Sequence, residues 1–173
     1  MKTLPFFWSA TLFAMAGCST SPPAPPPMPA ALQLSPGEKW VGSLPARGAQ
    51  IYECRLTDGQ AGWALVAPDA TLYDQHGQAV GQHGAGPFWQ VQDGSRVEGK
   101  AVARADAPVA GAIPWLLLEV HSNGGPGRLQ SVTRIRRVNT QGGIAPPAGC
   151  EAATAGVRQR VAYTADYLLY EGR

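Results

Sequence analysis

Hydrophobic and polar positions divide this chain into three regimes. Residues 4–16 are predominantly apolar behind a single basic Lys2, residues 19–31 hold six prolines among small and polar residues, and from Leu32 onward short apolar or alternating segments are separated by Gly, Pro, Asn and Asp. No stretch keeps the 3.6-residue period of an amphipathic helix, whereas the third regime keeps the two-residue period of strands.

Within that regime the alternation over 49–56 places Tyr52, Cys54 and Leu56 on one face. Segments 63–67 and 70–73 flank Pro68-Asp69, which predicts two short strands or one broken strand, and Asp74-Gln75-His76-Gly77 makes a turn. The segment 88–92, the turn Asp93-Gly94-Ser95 and the segment 96–104 read as a hairpin with Arg96, Glu98, Lys100 and Arg104 toward water. Residues 113–120 are apolar except for Pro114 and Glu119, as in a strand buried on both faces. A Gly-rich turn over 122–127 leads into a strand over 129–138. Its arginines, Arg134, Arg136 and Arg137, read first as a solvated face. Arg137, however, falls on the side of Ile135, so either a bulge reorients it or a carboxylate must pair with it. A last strand over 161–170 puts Tyr163, Tyr167 and Leu169 on a common face, and 151–155 is the best place for a short helical turn. About eight short strands without strand–helix alternation predict an all-β fold, a single-domain antiparallel β-sandwich or β-barrel with little helix, over 35–173.

The first regime is too short to span a bilayer, which takes about 20 apolar residues. It has the charged, hydrophobic and small-residue succession of an export signal. Phe13-Ala14-Met15-Ala16-Gly17-Cys18-Ser19 has the form of a lipoprotein processing site. Cleavage after residue 17 would leave Cys18 carrying lipid, and several acyl chains exceed the two-signal threshold for stable anchoring. The competing reading is an ordinary secretory signal cut near Ala16 with Cys18 a chance thiol. Ser19, rather than Asp, after the cysteine points to the outer membrane of a Gram-negative host. The proline-rich stretch cannot build a core and favours extended polyproline II, so 18–34 reads as lipidated cysteine plus tether.

Export sets the redox compartment. With Cys18 assigned to lipid, Cys54 and Cys150 remain, and in an oxidising space they are expected to form a disulfide. Two buried free thiols are the alternative. The chain carries 14 Lys+Arg against 12 Asp+Glu, a balance that gives no electrostatic case for nucleic acid.

Candidate chemistry is sparse. Of His76, His83 and His121, only His83 stands in a distinctive setting, before Gly84-Ala85-Gly86-Pro87 and Trp89. Small residues there would let a ligand approach backbone, so His83, Gly84, Gly86 and Trp89 are the nominated binding residues; a tight connection with Trp89 packed in the core is the structural alternative. Trp40, Trp63, Trp89 and Trp115 could form an aromatic wall, although core burial is the usual fate of tryptophan in a small β-protein. No nucleophile elbow, His-Glu-x-x-His, phosphate loop or dinucleotide-binding turn is present, so no catalytic residue, metal or cofactor is assigned.

Ile51-Tyr52-Glu53-Cys54, Ala67-Pro68-Asp69-Ala70-Thr71-Leu72, the run from Gly81 to Trp89, Asp93-Gly94-Ser95, Gly99-Lys100, Ile113-Pro114-Trp115-Leu116-Leu117-Leu118 and Asn139-Thr140-Gln141-Gly142-Gly143 together resemble, over about 49–170, the family catalogued as domain of unknown function 3455. The resemblance implies an exported single domain and no established activity. The expected function is a binding or protein-interaction module held to the outer membrane through lipid on Cys18, facing an envelope protein or a small ligand. The rival is a metal-dependent or hydrolytic envelope enzyme centred on His83.

Overall fold

The computed structural model describes residues 27–172 and contains eight antiparallel strands. They are β1 (Lys39–Thr57), β2 (Gln60–Tyr73), β3 (Ala79–Gly84), β4 (Phe88–Val91), β5 (Arg96–Ala105), β6 (Trp115–Ser122), β7 (Arg134–Gly142) and β8 (Arg158–Glu171). Each pairs with its neighbour in the chain, and β8 pairs with β1 from Glu171 opposite Lys39 to Arg158 opposite Glu53. The sheet is therefore a closed up-and-down barrel, which leaves no free edge along the closed ring. Three inward glycines allow the tight closure. A Cβ on Gly48, Gly81 or Gly99 would stand 2.2, 2.1 or 2.2 Å from a carbonyl oxygen of the adjoining strand.

One end of the barrel is plugged. The predicted strand over 129–138 begins only at Arg134, because Leu129 and Val132 turn into the barrel and are fully buried. Their spacing of three belongs to a turn, with the Val132 N–H donating to the Leu129 carbonyl, and not to a strand. Asp93 and Ser95 hold this plug in place. Asp93 accepts hydrogen bonds from the Ser95 N–H and hydroxyl and from the Arg128 N–H, and the Ser95 hydroxyl oxygen accepts from the Leu129 N–H. Leu44, Leu72, Val97, Ile135 and Leu169 pack beneath it.

The strand over 113–120 is buried on both faces, but it starts at Trp115, and its outer cover comes from a different place in the chain. Leu32, in a short 3-10 turn (Ala30–Leu32), packs with Trp115, Leu117 and Val138 outside the barrel, and Met28 and Leu34 extend the contact. Residues 28–34 of the expected tether thus lie against the barrel and do not reach away from it; Cys18 and residues 19–26 lie outside the described residues. The Leu32 carbonyl accepts from Arg136 Nε at 2.8 Å. Arg136 is accordingly buried, and Arg134 pairs with Glu38 and Glu119, so the run of arginines is not a plain solvated face.

Other boundaries shift for local reasons. β1 extends well before residue 49, through Gly42 and Pro45, because β8 lies beside it along its length. β2 is one strand through Pro68. At Pro68 it has β1 alone as a partner, since β3 pairs only from Ala70 to Tyr73, and a bulge between Ile51 and Tyr52 lies close by. The helical turn expected over 151–155 is a 3-10 turn (Ala152–Thr154) with a capping box between Glu151 and Thr154. The Cys54–Cys150 disulfide is present and ties β1 to the connection between β7 and β8.

Candidate functional site

The hairpin connections β1–β2, β3–β4, β5–β6 and β7–β8 all lie at the end opposite the plug. A cavity of about 280 Å³ opens there, bounded by β2 residues Leu65 to Pro68, by Gly86 and Pro87, and by side chains from inside the barrel. The interior contributors are Gln50, His83, Trp89, Leu116, Leu118, Arg137 and Tyr167.

His83 and Trp89 are brought together, but not by a loop. They are directly opposite each other in the β3–β4 ladder, and only residues 85–87 connect the two strands. Their rings stack at 4.5 Å with an interplanar angle of 18°, and Tyr167 closes the group edge-on to Trp89 at 5.3 Å. The signal that hid β3 is its composition: inward positions Gly81 and His83 are not apolar, so no alternation is visible. Of the two nominated glycines, Gly86 borders the cavity, whereas a Cβ on Gly84 would meet the Phe88 ring at 2.6 Å. Gly84 serves packing of Phe88 rather than ligand approach.

Phe88 supplies a carbonyl oxygen 2.7 Å from His83 Nδ1. A carbonyl only accepts, so Nδ1 carries the proton and Nε2 is an acceptor. Burial holds the imidazole pKa down to about 4 against the bond to Phe88, which favours the charged form, and the positive charge of Arg137 adds to the depression. His83 is thus neutral near pH 7. Because its folded pKa lies below the unfolded value, its contribution to stability is complete above about pH 6.5 and is lost as the pH falls toward 4. The shift corresponds to about 3 kcal/mol. Urea unfolding at pH 7 and pH 4.5 should show this loss in the native chain and a flatter response in His83→Gln, whose amide can still donate to Phe88; equal pH dependence in both would contradict it.

Arg137 meets neither of the conditions its position called for. The β6 and β8 ladders run through it without a register shift between Arg134 and Val138, so it faces inward with Ile135. Among the described residues it has no carboxylate partner. Its Nε and Nη2 donate to the Pro114 carbonyl at 3.1 and 2.8 Å. Its charge acts across the interior, lowering the pKa of Tyr52, Tyr163 and Tyr167 against the larger upward effect of their burial. Two further polar atoms, Gln50 Oε1 and Trp89 Nε1, are buried with no hydrogen-bond partner among the described residues. Gln50 and Arg137 are the site residues that no motif announced.

The remaining candidates disperse. His76 is exposed in the β2–β3 turn and His121 is exposed on β6 opposite Glu98, so the fold does not gather the three histidines. Trp40 is exposed, Trp63 donates to the Ala148 carbonyl, and Trp115 lies outside the barrel under Leu32; these do not form a wall with Trp89.

The family model for Protein of unknown function (DUF3455) matches residues 35–171, the whole barrel. The chain belongs to the DUF3455 family. The match takes in every residue of the cavity and excludes the covering segment around Leu32. No curated protein and no solved structure matches the chain. Membership in DUF3455 therefore carries no activity to these residues, and the chemistry must come from the cavity itself.

Proposed function

We propose that this chain is an envelope lipoprotein, anchored through Cys18 in the outer membrane and facing the periplasm, whose barrel binds a small ligand at its open end. One observation carries the binding reading: a barrel plugged at one end keeps a cavity of about 280 Å³ at the other, lined by Gln50 and Trp89, each with a buried polar atom that has no hydrogen-bond partner among the described residues, and by Arg137, which has no carboxylate partner among them. Buried polar groups are ordinarily paired, and convergent polar groups in a mostly apolar pocket are the usual character of a ligand site. Among the described residues no carboxylate and no second histidine borders the cavity beside His83, so its lining favours binding over hydrolysis.

The test follows the indole N–H resonance of Trp89. The dialysable fraction of a periplasmic extract should shift it while leaving the exposed Trp40 in place. A shift produced only by the retained, macromolecular fraction would replace the small ligand with a protein partner. The anchor is tested separately: Cys18→Ser should release the chain from the membrane fraction, and unchanged retention would refute lipid attachment.

A further inference from the structure

An arginine facing into a barrel is costly to desolvate unless its charge is met. The Pro114 carbonyl satisfies one edge of the Arg137 guanidinium, through Nε and Nη2, but brings no negative charge. Beyond that carbonyl the guanidinium meets only the neutral Tyr167 hydroxyl and no carboxylate among the described residues, so the planar fork that holds a carboxylate by two parallel bonds is left without a countercharge. Every other polar group bordering the cavity is uncharged near pH 7: Gln50, His83 and Tyr167, with the indole of Trp89.

We infer that the open end of the barrel is a binding site for a small organic monocarboxylate, its anionic group on the Arg137 guanidinium and its apolar body against Trp89, Leu116 and Leu118. The inference rests on the ligand-binding reading above and names the chemistry of that ligand. One positive charge in the lining matches one negative charge on the ligand, whereas a dianion would leave an uncompensated charge in a half-buried space. The cavity is about twice the 150 Å³ that accommodates benzene, which allows on the order of ten non-hydrogen atoms. Leucine, valine, proline and tryptophan in the lining favour an organic body over a hydrated inorganic anion.

The test compares phenylacetate with its neutral isostere phenylacetamide by calorimetric titration of the mature chain. Phenylacetate should bind at least tenfold more tightly. Arg137→Gln should abolish that difference while leaving phenylacetamide affinity within about twofold, and Arg137→Lys, which keeps the charge but loses the fork, should retain part of it. Thermal melting identifies any variant that fails to fold, and the comparison in the native chain needs no variant. Equal affinities for acid and amide would overturn the carboxylate assignment and leave the ligand cavity standing. Displacement of phenylacetate by an equal concentration of inorganic phosphate would overturn the organic class. No binding of either probe at millimolar concentration would overturn both the inference and the reading on which it rests.

Discussion

Replacing Cys54 and Cys150 together with alanine should lower the unfolding free energy by up to about 4.7 kcal/mol, the chain-entropy figure for a loop of about 100 residues. The two cysteines are 96 positions apart, so their loss frees all of β2 through β7 from the constraint that the bridge places on the unfolded chain. A small domain has on the order of 5–15 kcal/mol of stability in total, which makes this a large fraction. What stays behind in the folded state is modest. The Cys54 N–H donates to the Val157 carbonyl, the Gly156 N–H donates to the Cys54 carbonyl, and Trp63 Nε1 donates to the Ala148 carbonyl. Urea unfolding of the double variant should show the loss as a lower midpoint. A change under about 1 kcal/mol would mean that these hydrogen bonds hold the β7–β8 connection against β1 without the bridge.

Trp89→Ala should cost about 3–5 kcal/mol, the range for removing a large aromatic from a core. Trp89 is 1% exposed, stacks on His83 and meets Tyr167 edge-on, so truncation removes the centre of the interior aromatic group. Alanine would also enlarge the cavity it borders and leave His83 without its stacking partner. Trp89→Phe should cost less, partly because Trp89 Nε1 makes no hydrogen bond among the described residues and its removal breaks none. Chemical denaturation of the two variants checks the order. An alanine variant within about 1 kcal/mol of the native chain would show that the interior around Trp89 collapses freely and is not the rigid wall described above.

Strands whose inward positions are large and apolar were legible in the sequence. The common face of Tyr163, Tyr167 and Leu169 is the barrel interior, and the hairpin around Asp93-Gly94-Ser95 falls where its turn residues place it. Strands whose inward positions are small were not. β3 presents Gly81 and His83 inward, and the early part of β1 is punctuated by Gly42, Pro45 and Gly48; at Gly48 and Gly81 close strand approach leaves no room for a side chain. Closure of β8 on β1 joins residues more than a hundred positions apart and leaves no local signature; hence sandwich and barrel could not be separated beforehand. Leu129 and Val132 illustrate the converse, apolar residues that plug an end instead of pairing in a strand.

The site was legible in part for the same reason. His83 and Trp89 stand out as a histidine and an aromatic around glycines, and the barrel places both inside. Arg137 was conspicuous as a charge on the apolar side of its strand, yet sequence alone supplied two resolutions, a bulge or an internal carboxylate, and the structure takes neither. Gln50 shares by alternation the face of Tyr52 and Cys54, but a lone glutamine there carries no motif that would mark it as a site residue.

The most direct measurement is a crystal structure of the chain purified from its native source without added ligand. The expected result is a closed eight-stranded barrel in which Arg137 points inward, bonded to the Pro114 carbonyl, with electron density for a small acid against its guanidinium beside Trp89. An Arg137 turned out to solvent, or an open end filled by side chains with no space beside His83, would contradict it.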